Sequence, residues 1–212
     1  MATRTRRQIL ITAVSTAVVA CAGSPPTMDE TTDATDATDT TDTEPSGDTG
    51  EPATCDATGA DIEGPFWVPG VPVRDDLDVH GEEGPRLSFS GTVRDAATCA
   101  PLPGAVVEIW HADGAGDYDE AADGRYRGQT AADGDGAYAF RTIVPGRYLN
   151  GATFRPSHIH AKVWVGGQLR LTTQLYLAND PYNDGDAWFD ADRIVADLDD
   201  GDVLEGTFDF VV

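Results

Sequence analysis

Positive charge is scarce in this 212-residue chain: 14 Lys+Arg stand against 37 Asp+Glu, a formal charge of −23 at pH 7. Such a surface repels polyanions, which excludes nucleic acid and makes an anionic membrane face a poor partner. Aromatic residues make up only 8%, whereas 23 Gly and 13 Pro interrupt the chain, a balance that favours short strands and turns over helical bundles. Cysteine occurs only at positions 21, 55 and 99, too far apart for a CxxC knuckle or a dithiol motif, so zinc-finger and thioredoxin-like chemistry drop out. The apolar run Ile9 to Ala20 is too short to span a bilayer as a mature helix.

That run follows Arg4, Arg6 and Arg7, and no acid precedes Asp29, which is the layout of an export signal over residues 1–21. Val18-Val19-Ala20-Cys21 resembles a bacterial lipobox, in which the cysteine is lipidated after cleavage. Thr5-Arg6-Arg7-Gln8-Ile9-Leu10 loosely resembles a twin-arginine signal. A plain secretory signal with an incidental cysteine is the alternative, and either address takes the chain out of the cytoplasm. The stretch Pro25 to Ala53 carries nine acids, no base and almost nothing to bury. Its ordering entropy is uncompensated, so residues 22–54 read as a disordered linker between a membrane anchor at Cys21 and a domain.

Residues 55–212 suffice for a single core. Leu87, Phe89, Gly91 and Val93 alternate with polar neighbours, as do Ala105, Val107 and Ile109, then Tyr138 and Phe140, then Leu204, Phe208, Phe210 and Val212. This is the period of half-buried strands. Gly166-Gly167 separates Ser157–Val165 from Gln168–Leu177 as a two-residue hairpin turn. Strands at this spacing predict an all-β fold, a single β-sandwich. Tyr182 to Asp200, with weak helical periodicity at Trp188, Ile194 and Leu198, reads as loop with at most one helical turn. An oxidising compartment favours a Cys55–Cys99 disulfide over two unpaired buried thiols.

The chemistry concentrates at His158-Ile159-His160. On a strand, positions i and i+2 share a face, so both imidazoles can reach one ion while Ile159, Ala161, Val163 and Val165 pack the other way. Alone, the motif is weak evidence, since alternating polar residues on a solvated face produce it by chance. A ferrous site of two histidines and a carboxylate lacks its Asp or Glu at a matching position. His80 and His111 read as surface or hydrogen-bonded histidines. Tyr138 reads as core, and Tyr176 as pocket lining or packing. Phe66 and Trp67 either wall a pocket mouth or clasp the N-terminal segment, and Asp133-Gly134-Asp135 does not complete an EF-hand calcium loop.

Several stretches in one order resemble the intradiol ring-cleavage dioxygenases, the protocatechuate 3,4-dioxygenase and catechol 1,2-dioxygenase family. They are Glu63-Gly64-Pro65-Phe66-Trp67-Val68-Pro69-Gly70, Val107–Tyr118, Gly134–Thr142, Pro145–Tyr148, Arg155–His160, Leu171–Tyr176 and Asp180-Pro181. The resemblance implies a non-haem Fe(III) cofactor with Tyr118, Tyr148, His158 and His160 as ligands. It places Arg155 beside the bound substrate and Gln174 behind the metal ligands. It further implies a catechol-type substrate cleaved with O2 between its hydroxylated carbons, giving a muconate-type diacid, with Tyr148 accepting a substrate proton. Ser157 stands where the family usually has alanine, the loop Leu149–Phe154 is short, and the helical dimerisation region of the catechol dioxygenases has no counterpart. The competing reading is a surface-anchored β-sandwich that binds a ligand without catalysis.

Overall fold

The computed structural model describes residues 55–78, 81, 83–121, 124–197 and 201–212. The export signal, Cys21, the acidic linker and His80 lie outside the described residues. Among the described residues eleven strands follow one another: β1 (Arg86–Arg94), β2 (Val106–Trp110), β3 (Arg127–Ala131), β4 (Ala137–Ile143), β5 (Tyr148–Asn150), β6 (Thr153–Arg155), β7 (His158–Val165), β8 (Gln168–Ala178), β9 (Ile194–Asp197), β10 (Val203–Thr207) and β11 (Phe210–Val211). One sheet centres on β1, which pairs antiparallel with β4 and parallel with β10 and β11. The other runs β3-β2-β7-β8-β9, with β5 and β6 forming a separate hairpin.

The alternation read from the sequence is the packing between the two main sheets. Leu87, Phe89, Val93, Tyr138, Phe140, Leu204 and Phe210 meet Val107, Ile109, Ile159, Ala161, Val163, Leu175 and Leu177 in one buried core. Tyr138 lies in this core, and its hydroxyl donates to the Phe208 carbonyl at 2.7 Å. Gly166 and Gly167 close the β7–β8 hairpin at φ of 58° and 78°, left-handed values that two successive non-glycine residues would strain to hold. That turn, together with a one-residue register shift between Val163 and Trp164, pairs His158 with Tyr176 and His160 with Gln174.

Three features differ from the sequence reading. β3, Arg-Gly-Gln-Thr-Ala, has no apolar alternation; it is held by its ladder to β2 and by the Gln129 amide donating to the Pro72 carbonyl. The short Leu149–Phe154 loop is a β5–β6 hairpin. Within Tyr182 to Asp200 stand two 3-10 turns, Asn183–Gly185 and Ala191–Arg193, and then β9, which runs parallel to β8. Asp190 caps the second turn, accepting from the Asp192 amide. Of the helical-looking positions, Trp188 therefore lies in a turn and Ile194 in a strand, while Leu198 lies outside the described residues.

Cys55 and Cys99 are joined by a disulfide, their Cα atoms 5.3 Å apart. Nearby, Thr58 donates its amide to the Val211 carbonyl. The segment that leads to Glu63–Trp67 is thus tied to the sandwich. No helix among the described residues is long and apolar enough to cross a membrane. Replacing both cysteines by serine is expected to lower the unfolding free energy by about 2–4 kcal/mol, read from the midpoint and slope of a urea titration. A midpoint unchanged between the two proteins would contradict it.

Candidate metal centre

β2, β7 and β8 turn Trp110, His158, His160, Gln174 and Tyr176 onto the sheet face away from the core, because Ile109, Ile159, Ala161 and Leu175 take the inner face. Tyr118 arrives from the loop after β2 and Tyr148 opens β5. The Tyr118 hydroxyl lies 3.2 Å from Nε2 of His158. Ring centroids are 5.0 Å apart for His158 and His160, 5.6 Å for Tyr148 and His158, 5.7 Å for Tyr118 and Tyr148, and 6.1 Å for Tyr118 and His160. The four side chains named from the sequence therefore converge.

Both imidazoles are almost fully buried. Burial, and then the Arg155 guanidinium, pushes His158 down to about 3. Burial, with His158 beside it, holds His160 well below its ordinary value. Nδ1 of His158 lies 2.7 Å from the Pro156 carbonyl, an acceptor, so that nitrogen carries the proton and Nε2 presents a lone pair toward the tyrosines. The Ile62 carbonyl beside the His160 ring offsets part of that ring's fall. Burial, reinforced by Tyr148, raises the Tyr118 phenol well above 10, so it ionises only if a cation supplies the compensating charge. Two neutral imidazoles and two phenols suit a hard, highly charged metal ion. Among the described residues, no cluster of three or more His, Cys, Asp or Glu offers another cation site.

Arg155 is fixed on every side. Its Nε donates to Asp186 at 2.8 Å, Nη2 to Gln174 Oε1 at 2.9 Å, and its guanidinium lies 4.6 Å above the Trp188 ring. Nη1 stands 3.4 Å from Nε2 of His158. Gln174 also donates to the Ile62 carbonyl, and the Tyr176 hydroxyl donates to the Trp188 carbonyl at 2.9 Å. Ser157 donates its hydroxyl to the Pro145 carbonyl at 2.6 Å and its amide to Asp180, which also accepts from Arg147. The Ser157 side chain thus braces the start of the segment that carries Tyr148.

Tyr118 and Tyr148 face an open cleft of about 640 Å³ shared with Phe66, Leu149 and Phe154. Phe66 stacks on Tyr118 at 4.2 Å, and Trp67 donates from its indole to Glu108 at 2.7 Å, so one residue of this pair walls the cleft and the other clasps the segment. His111 is buried and hydrogen-bonded to the Ala112 carbonyl and Thr142. Asp133 is occupied by the amides of Asp135 and Ala137. Asp186 and Trp188, which hold Arg155, went unnoticed in the sequence. Asp186 stands among acids and turn residues, and Trp188 shows only the weak helical spacing with Ile194 and Leu198, which says nothing of Arg155.

Fold and donor set together describe a sandwich-fold protein with a mixed phenol–imidazole site. The family model described as Dioxygenase matches residues 62–212, and the chain belongs to the intradiol ring-cleavage dioxygenase family. It is 33% identical over 155 residues to chlorocatechol 1,2-dioxygenase of Rhodococcus opacus, covering 61% of this chain and 60% of that protein. It is 36% identical over 153 residues to catechol 1,2-dioxygenase of Pseudomonas sp. (strain EST1001), covering 60% and 49%. The match thus spans about half to three-fifths of these curated relatives. A solved structure, the dioxygenase domain of a dioxygenase carbohydrate-binding protein fusion from Streptomyces sp. SirexAA-E, superposes with a TM-score of 0.65 at 40% identity, covering 74% of this chain and 98% of that one.

The buried imidazoles make the metal-free protein acid-sensitive. Burial pushes His111 down to about 4 from 6.5, so between these values the unfolded chain binds a proton that the folded one refuses. Stability is fully present above pH 6.5 and is lost as pH falls toward 4, and His158 extends the window toward 3. Urea titrations of metal-free protein across this range are expected to show that decline, with a shallower slope in His111→Gln. Identical slopes in the two proteins would refute the assignment to His111.

Proposed function

We propose that the domain is a non-haem ferric intradiol dioxygenase. Tyr118, Tyr148, His158 and His160 hold the iron, and a catechol-type ring is cleaved between its two hydroxylated carbons to a muconate-type diacid. The observation that carries this reading is the convergence of two phenols and two neutral imidazoles from separate stretches, in a chain of this family. Both atoms of O2 enter the product, so the reaction balances with no outside reductant.

Ferric iron supplies the Lewis acidity that ionises the phenols and both catechol hydroxyls, leaving a ring electron-rich enough for O2. The protein's own groups do the rest. Tyr148 lies at the cleft and, as a phenolate, receives one substrate proton on its oxygen, while the second leaves to solvent through the open cleft. Arg155, held by Asp186, Gln174 and Trp188, aims a fixed guanidinium at negative charge developing on the ring, and pays no reorganisation at the moment of reaction. Phe66 covers the Tyr118 ring and keeps water from that side. With Leu149 and Phe154 exposed at its rim, the cleft admits catechols that carry substituents. Exported action and lipid attachment at Cys21 belong to the same proposal, supported by the layout of residues 1–21; an intact-mass measurement of the mature membrane-fraction protein would show or fail to show the acyl chains.

Protein from iron-replete cells is expected to be reddish, with a broad tyrosinate-to-iron absorption band, and to consume one O2 per catechol. Tyr148→Phe should lose much of the band and about 10²–10⁴-fold in turnover, and Arg155→Ala about 10²–10³-fold with the band retained. A colourless, iron-free protein that still binds catechols would favour the ligand-binding sandwich instead.

A further inference from the structure

Lys162 is the only lysine in the sequence, and it is buried on β7 two residues beyond His160, on the same outer face. A buried ammonium is costly unless its charge is met. Two groups meet it: the Glu63 carboxylate, 2.6 Å from Nζ, and the face of Trp67, whose ring centroid is 3.3 Å away. The rings of Trp110 and Trp164 each stand 5.9 Å off. Glu108, the cross-strand neighbour of Lys162, accepts from the indoles of both Trp67 and Trp164.

Glu63 and Trp67 are the two ends of one turn. Between them the chain crosses His160 so closely that a Cβ on Gly64 would lie 3.2 Å from its Cε1, and Phe66 stacks on Tyr118. Upstream, the Asp61 amide donates to the Thr172 carbonyl on β8. Downstream, the grip belongs to Trp67, with its face on Lys162 and its indole N–H on Glu108.

We propose that Lys162 is a positioning residue. Its ammonium staples both ends of the Glu63–Trp67 turn, seats Phe66 on Tyr118 and closes the turn over His160. The staple stands on geometry alone; its consequence for iron rests on the function proposed above. A compact ammonium can touch an indole face and a carboxylate at once, which the broad, planar guanidinium of arginine does less well in the same space.

The test uses the full chain. In metal-free Lys162→Met, amides of residues 61–64, 66 and 67 should exchange with solvent about tenfold faster while those of β1 and β4 do not change. Ferric-loaded Lys162→Met should surrender iron to a competing chelator about 10–100-fold faster, with a displaced visible band. Glu63→Gln, at a half-exposed position, should move both readouts the same way by less. Phe66→Ala added to Lys162→Met should add little, because the two act through one contact. Unchanged exchange in Lys162→Met, or in Glu63→Gln should Lys162→Met not fold, would overturn the staple. Faster exchange with wild-type iron release and an unmoved band would overturn the positioning role, as would fully additive effects of Lys162→Met and Phe66→Ala. If the wild-type protein takes up no ferric iron, the proposed function fails, and the exchange experiment still judges the staple.

Discussion

The two-residue period of β7 is the constraint on which the rest depends. Ile159, Ala161 and Val163 fill the sandwich core while His158, His160 and Lys162 stand on the opposite face. A slip of one residue would bury the imidazoles in the core and expose the aliphatic side chains to the site, so core packing and site geometry are one and the same requirement. The Gly166-Gly167 turn and the ladders to β2 and β8 enforce it. The two imidazoles on this strand inherit the rigidity of the hydrophobic core behind them.

The outer face of the same sheet is unusual in the charge it buries. Arg155 meets Asp186 and Arg193 meets Asp61, with the side chains of all four nearly inaccessible. Such pairs add little net stability, because desolvation offsets attraction, but losing one partner strands the other and costs about 3–5 kcal/mol. Their value here is orientation: each pair holds a side chain around the four rings in one rotamer. The polar shell fixes Arg155 in one position, and Leu149 and Phe154 of the β5–β6 hairpin line the open cleft.

Much of this arrangement was legible in the sequence, for identifiable reasons. Strand alternation is written locally, so the core residues, the hairpin and the shared face of the histidine pair could be read directly. Tyr118 and Tyr148 carry no local mark; only their order among the other family stretches singled them out. β3 was opaque because its ladder to β2 rather than its own side chains holds it, and β9 because its two core residues, Val195 and Ala196, are consecutive and show no alternation. Asp186 and Trp188 were opaque for a related reason: their importance lies in what they touch, 31 residues away in the case of the Arg155–Asp186 bond. His111 could be read as hydrogen-bonded, but its depth of burial depends on Tyr126 and Thr142, which meet it only in the folded chain.

A chain whose sole lysine side chain lies beneath three indoles presents no primary amine of that kind on the surface of its folded domain. Reagents that acylate lysine, or couple proteins to solid supports through it, have no side-chain target there until the strands part. Covalent immobilisation would have to use carboxylates, which the sequence supplies in abundance, and amine labelling would instead report on the unfolded population.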